Sequence, residues 1–170
     1  MNANSIIMGI DPGTIVTGYG IIKLEGNNYV PLDYGCIRPP SKHKLTDRYL
    51  IIFNAIENLI NTYAPEVLVV ESQFINAKKN IQSILKLGMA RGVIIAAAKR
   101  KNMAVFEYAP TQAKMAVVGK GHASKFQVQS MTQNLLKLKS LPPEDAADAL
   151  ALALCHTHTI QRGLKCGSEI

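Results

Sequence analysis

Short apolar runs separated by turn residues predict three strands at the start of the chain. The first covers residues 6–10 and ends at Asp11, where a Pro-Gly turn begins. The second and third cover residues 18–24 and 29–37, with only short polar connections between them. Connections this short join antiparallel neighbours, so an antiparallel meander is expected. Pro39 and Pro40 then end the strand pattern.

Helical and strand patterns alternate through the rest of the chain. Helices are predicted over residues 45–63, 80–101, 124–138 and 142–161, with a shorter one opening at Pro110. Continuous apolar runs at residues 67–70 and 103–108 predict two further, buried strands. This order predicts an α/β fold in which a five-stranded mixed sheet, a meander plus βαβ units, is flanked by helices. We predict a single domain over residues 1–170, with residues 1–5 and about 162–170 frayed.

Charge and composition narrow the class of partner. Lysine and arginine number 19 against 12 acids, so the net charge is +7 and the pI about 9.4. Such a balance favours a polyanion, with nucleic acid ahead of an anionic membrane. The longest apolar runs are shorter than the ~18 residues of a membrane span, and the N-terminus lacks the basic segment of a signal peptide. Three cysteines without a C-x-x-C pair suit a reducing compartment, so a cytoplasmic protein with no membrane partner is expected.

Carboxylates stand at positions that suggest chemistry. Asp11 and Glu71 each follow a predicted central strand, at the sheet edge where α/β proteins bind ligands. Asp145 and Asp148 are spaced i, i+3 on a helix that is apolar on every side, so a buried charge there needs a partner. Carboxylate oxygens without histidine or cysteine pairs select Mg²⁺ or Mn²⁺. In a basic protein, a carboxylate-held pair of such ions predicts phosphodiester hydrolysis.

Each acid also has a simpler structural interpretation. Asp145, beside Glu144, could complement the helix dipole, and Asp11 before Pro-Gly could be a turn residue. Glu71 could pair with an arginine. Asp148 is the hardest to explain in this way, because the helix around it is apolar throughout.

Cys155, His156 and His158 form another group of potential metal ligands. The two histidines point apart on a helix, and the sequence has no second pair to complete a zinc site. Zinc binding is therefore disfavoured.

Several segments, in order along the chain, resemble the signature motifs of the RuvC family of bacterial Holliday-junction resolvases. They are GIDPGT at 9–14 with TGYG at 17–20, VESQF at 70–74, LKLGMARG at 85–92, FEYA at 106–109, VVG at 117–119 and DAADAL at 145–150. The resemblance extends from about residue 6 to residue 158. It implies a ribonuclease-H-like fold and a homodimeric Mg²⁺-dependent endonuclease of recombination and repair, which nicks two opposed strands of a four-way DNA junction. It also implies the branch-migration proteins RuvA and RuvB as partners.

The resemblance assigns roles to individual residues. The family's metal ligands, which would hold two Mg²⁺ with Mn²⁺ as a possible substitute, match Asp11, Glu71, Asp145 and Asp148. Some relatives carry histidine at the last of these positions. Residues for DNA contact and transition-state support match Lys114 and Lys125, and an aromatic near the bases at the junction centre matches Phe74. Further basic residues that could extend the phosphate-binding surface are Lys78, Lys79, Lys86, Arg91 and Lys120.

Two functions from different classes fit these observations. The leading hypothesis is a structure-selective endonuclease; the alternative is a non-catalytic junction-binding module of the same fold. An actin-like ATPase, which the Asp-x-Gly-Thr sequence also suggests, needs two related domains, and 170 residues hold one. The apolar helix over residues 84–98 either packs in the core or forms the dimer interface.

Overall fold

The computed structural model describes residues 5–72, 80–163 and 167–170. Its strands are β1 (Ile6–Asp11), β2 (Thr17–Glu25), β3 (Asn28–Ile37), β4 (Val67–Glu71), β5 (Ala104–Tyr108) and β6 (Ser168–Glu169). Its helices are α1 (Leu45–Tyr63), α2 (Ile81–Lys99), α3 (Pro110–Val118), α4 (Lys125–Leu136) and α5 (Glu144–Gln161).

The strands form one mixed sheet in the order β3-β2-β1-β4-β5-β6. The first three strands pair antiparallel, as the short turns between them predict. β4 lies parallel to β1 and β5 parallel to β4, because helices α1 and α2 carry the chain back across the sheet before each strand. The predicted α/β class, meander plus βαβ, is confirmed.

The sheet has six strands rather than the predicted five, and the prediction of a frayed C-terminus is wrong for residues 168–170. Ser168 pairs with Glu107 and Glu169 with Phe106, and the Ile170 amide donates to the carbonyl of Val105 at 3.0 Å. A two-residue strand shows no alternation that sequence could reveal. Its position follows from the unpaired backbone groups of β5, which would otherwise form the sheet edge.

Helices cover both faces of the sheet. Alternate residues of β1 face opposite sides: Ile7 packs with α3, α4 and α5, whereas Met8 packs with α1 and α2. α5 is buried along most of its length, and it lies directly on β1 and β2 because glycines line the contact. A Cβ on Gly9 would lie 2.0 Å from the carbonyl oxygen of Ala149, and one on Gly20 would lie 2.5 Å from the side chain of Leu150.

α2 presents an apolar stripe to solvent. Ile81, Leu85 and Met89 are 73%, 59% and 58% exposed, while Ala90 and Ile94 on the other face are buried against α1 and the sheet. Among the described helices, α2 is the one whose length and composition would allow it to cross a membrane. Its other face, with Ala90 and Ile94, is buried in the core of the domain.

Candidate active site

Asp11 and Glu71 lie at the carboxyl ends of β1 and β4, the two central strands of the sheet. Ile10 of β1 pairs with Val70 of the parallel strand β4, so the residue that follows each of them leaves the sheet at the same end. Both acids thus stand at the carboxyl ends of their strands, as the sequence predicts, and the two strands are adjacent in the sheet. Such ends are where α/β sheets place their ligand sites.

α5 brings two more carboxylates to the same edge. Its first turn lies over β2 at Gly18, which pairs with Asp11 of β1. Asp145 and Asp148, on one face of that end of the helix, therefore stand above the carboxyl end of β1. Both are partly exposed, although the helix is buried from Ala149 to Thr157.

The four acids act on one another electrostatically. Burial, followed by repulsion from Glu71, Asp148 and Asp145, raises the pKa of Asp11 to about 8, and Lys125 opposes this increase. Burial also raises the pKa of Asp148. These four carboxylates lie near enough to interact electrostatically and are hereafter the carboxylate cluster (Asp11, Glu71, Asp145 and Asp148).

The donor set fits a hard divalent cation. The cluster offers carboxylate oxygens, and the cost of burying Asp11 as an anion among like charges is what a cation would remove. In the described parts of the chain, no three histidine, cysteine, aspartate or glutamate side chains are grouped closely enough to hold a metal ion as they stand.

Two lysines face the carboxylate cluster. Lys125, the first residue of α4, and Lys114 on α3 both lower the pKa of Asp148. Lys125 also forms an ion pair with Glu144, at 2.7 Å between Nζ and Oε2. Sequence reasoning did not identify Glu144 as its partner, because the two residues are 19 positions apart on different helices.

The other predicted DNA contacts differ in their surroundings. Lys120 is exposed in the loop between α3 and α4, and Lys86 is exposed on α2. Arg91 pairs with Glu107 of β5 and its side chain is only 18% exposed. Its charge is already neutralised, which weighs against a phosphate contact. Three predicted residues lie outside the described residues, namely Phe74, Lys78 and Lys79.

The loop after Asp11 is held by two residues to which the sequence assigned no role. Thr17 Oγ1 donates to the Gly13 carbonyl at 2.8 Å and accepts from the Gly13 amide at 3.3 Å. Arg48 of α1 donates from Nη2 to the carbonyl of Thr14. The turn following the buried carboxylate is thereby fixed from both ends. The Pro-Gly turn was visible in the sequence, but the partner on α1 was not.

The far end of α5 has a different character. His156 is fully buried beneath Phe106 and Tyr108, with Nδ1 2.9 Å from the Tyr108 hydroxyl. His158 points elsewhere, with Nδ1 3.2 Å from the carbonyl of Ala116. The two rings thus diverge, as the helical spacing predicts.

A cleft of about 900 Å³ lies at that far end, lined by residues of α3, the loop after it, and the end of α5 with the adjacent Arg162. None of the four carboxylates borders it. All four carboxylates are half-buried at the ends of β1 and β4 and the start of α5.

Comparisons with known proteins agree with this geometry. The family model described as "Crossover junction endodeoxyribonuclease RuvC" matches residues 7–156. A protein of that name from Protochlamydia amoebophila is 59% identical over 157 residues, covering 92% of each chain. Another from Ruminiclostridium cellulolyticum is 45% identical over 165 residues, covering 96% of this chain and 98% of its own.

Solved structures show the same fold. The Thermus thermophilus RuvC in complex with Holliday junction substrate has a TM-score of 0.89 at 30% identity, covering 98% of this chain and 99% of the other. The yeast mitochondrial Holliday junction resolvase has a TM-score of 0.62 at 17% identity, with 89% of this chain and 77% of that one covered, and shows likeness in fold alone. These matches confirm the expected ribonuclease-H-like architecture.

Proposed function

Since this chain belongs to the RuvC family of crossover junction endodeoxyribonucleases, we propose that it resolves four-way DNA junctions by hydrolysing phosphodiester bonds at the carboxylate cluster. Family membership confirms the endonuclease interpretation and disfavours the non-catalytic module. One observation supports the assignment of the site to the carboxylate cluster. Burial of Asp11, and its repulsion by Glu71, Asp148 and Asp145, raise the pKa of Asp11.

Divalent-cation dependence is general to this kind of nuclease, and we propose Mg²⁺, two ions per site, with Mn²⁺ as a possible substitute. When bound, the ions would activate the attacking water and stabilise the leaving oxygen. The residues that would hold the cations are the four carboxylates of the cluster. Lys114 and Lys125, the two lysines that face Asp148, offset the charge of the cluster and contact the phosphate that enters it.

The proposed substrate is the four-way junction, because the Thermus thermophilus relative was solved with a Holliday junction substrate. The lysines proposed to contact phosphates are the exposed Lys86, Lys120 and Lys125 and the half-buried Lys114. Phe74, Lys78 and Lys79 remain proposed contacts on the family resemblance. Arg91 is a weaker candidate because of its ion pair with Glu107.

A cleavage assay tests this function. Purified protein should nick a labelled four-way junction symmetrically with Mg²⁺ present, and leave a linear duplex of the same sequence intact. Asp148→Asn should abolish nicking while junction binding stays close to that of the wild type, because the change removes a ligand and leaves the lysines in place. Equal loss of binding and cleavage in that variant would contradict the catalytic assignment.

We propose that the protein is a homodimer formed through the exposed stripe of α2, with one nick made by each protomer. Ile81, Leu85 and Met89 repeat at i, i+4 and i+8 on the solvent face of the helix. Two such stripes, packed against each other about a two-fold axis, would bury these side chains. The same axis would relate the two carboxylate clusters, as the two-fold symmetry of a four-way junction requires.

We also propose that the protein acts in the cytoplasm with RuvA and RuvB, as the family resemblance implies. Cleavage of a junction undergoing branch migration by RuvA and RuvB should then be faster than cleavage of a static junction with the same sequence. Equal rates would contradict the partnership.

A further inference from the structure

We propose that Glu144 is a positioning residue that holds Lys125 in the DNA-free protein and competes with the DNA phosphate for its ammonium group. This inference rests on the proposed function, since Lys125 is one of the residues proposed to contact the substrate. Glu144 thereby sets how tightly the protein binds a junction.

Both partners stand on fixed backbone. Lys125 follows the N-cap residue Ser124, whose side chain accepts from the Gln127 amide at 3.2 Å while Gln127 Oε1 accepts from the Ser124 amide at 2.9 Å. Glu144 opens α5, and the turn before it is tied to α4 by Gln129 Nε2, which donates to the carbonyl of Pro142 at 2.8 Å. The ion pair therefore joins two helix N-termini whose separation is set by the fold.

Among the acids around Lys125, Glu144 has the strongest interaction with its ammonium group. The carboxylate of Glu144 accepts directly from the ammonium group, and Asp148 and Asp145 attract it from farther away. Glu144 lies outside the carboxylate cluster, so a cation bound by the cluster leaves its negative charge in place. Glu144 would thus remain the anionic partner of Lys125 when the carboxylate cluster has bound its cations.

The pair is also easy to exchange. The side chains of Lys125 and Glu144 are 64% and 51% exposed, and exposed ion pairs contribute little net stability. A phosphate oxygen offers the ammonium group the same kind of charge-assisted hydrogen bond. When DNA takes Lys125, the ion pair with Glu144 is lost, and the cost of breaking it reduces junction affinity.

Binding of a four-way junction to Glu144→Gln tests the inference without any divalent cation. We expect roughly two- to fivefold tighter binding than the wild type, the range that corresponds to an exposed ion pair. The fall of affinity with salt should be steeper, because Lys125 then neutralises a phosphate without freeing a carboxylate. The matched control is Glu25→Gln, which breaks the exposed Lys23–Glu25 pair (2.6 Å) and should leave binding unchanged.

The Lys125→Ala background separates competition from general repulsion. There, Glu144→Gln should have no effect on affinity, because the ammonium group for which the two anions compete is gone. A gain of the same size in that background, or wild-type affinity of Glu144→Gln in the native background, would overturn the inference while leaving the endonuclease assignment standing. Failure of the wild type itself to bind a junction would instead overturn the proposed function, and this inference with it.

Discussion

The α-carbon of Gly18 lies against the backbone of Asp145, so closely that a Cβ at position 18 would stand 1.9 Å from the Asp145 carbonyl oxygen. Since Gly18 pairs with Asp11 in the sheet, this contact sets the height of α5 above the strand that carries Asp11. The position of two carboxylates relative to the other two thus depends on the absence of a side chain.

We expect Gly18→Ala to displace the start of α5 and to lower both stability and cleavage. Overpacking of this kind costs about 1–3 kcal/mol in the free energy of unfolding, and a shift of the carboxylates by an ångström should reduce cleavage by about 100-fold. Denaturant unfolding and a cleavage assay measure the two effects. Gly121→Ala is the control for stability, because its nearest neighbour, 3.6 Å away, leaves room for a methyl group. Unchanged cleavage in Gly18→Ala would contradict this account of the site.

We expect Asp11→Asn to stabilise the metal-free protein at alkaline pH. The folded-state pKa of Asp11 is about 8 against an ordinary 3.8, so the folded protein holds this proton more tightly than the unfolded chain does. Its contribution to stability is therefore lost as the pH rises between these two values. Thermal melting in EDTA should show a gain for the variant that grows over that range and reaches at least about 2 °C.

Mg²⁺ provides the control for this measurement. By neutralising the cluster it should raise the melting temperature of the wild type and raise that of Asp11→Asn less, since the variant lacks one ligand. Equal melting temperatures of the two proteins in EDTA across the whole pH range would rule out the proposed repulsion.

His156 should make the fold sensitive to acid. Burial lowers its pKa from 6.5 to about 4, so the folded protein binds this proton less tightly than the unfolded chain. The stability it contributes is complete above pH 6.5 and is lost as the pH falls toward 4, by about 3 kcal/mol in total. Urea unfolding at several pH values should show this loss as a change in the difference between the wild type and His156→Gln: the wild type loses about 3 kcal/mol relative to the variant as the pH falls from 6.5 to 4, while the contribution of Asp11 is common to both proteins and cancels. Leu154→Ala, which removes a buried side chain that does not titrate, should lower stability equally at every pH.

A charge in the stripe of α2 should dissociate the proposed dimer. We expect Met89→Glu to convert the protein to monomers, measured by light scattering on a sizing column, because it would bury a carboxylate against the partner stripe. Met115→Glu is the matched control, since Met115 is similarly exposed at 55% but lies on α3. Dimers that persist in Met89→Glu, or that dissociate equally in both variants, would place the interface elsewhere.

The framework of the site was predictable because it follows local patterns. The apolar runs that end at Asp11 and Glu71 predicted two strand ends, and the i, i+3 spacing of Asp145 and Asp148 put both on one helix face. The sheet then brings the two strand ends together, because Ile10 of β1 pairs with Val70 of β4.

Contacts between distant elements were not predictable from such patterns. Nothing in the composition around Lys125 indicates that Glu144 rather than a phosphate faces it in the free protein. Likewise, the sequence did not indicate that Arg91, predicted to contact phosphate, pairs with Glu107. Charged side chains carry no periodic signal, and their partners are chosen only once the elements are packed.

The burial of α5 on every side has a consequence for how the protein fails. Its amides from Ala149 to Leu154 lie in the centre of the domain, so they should exchange with solvent only when the whole structure opens. Asp145 and Asp148 lie in the first turns of the same helix, directly before that buried segment. We therefore expect the carboxylate cluster to keep its arrangement until the whole domain unfolds, so that heat inactivation coincides with global unfolding rather than preceding it.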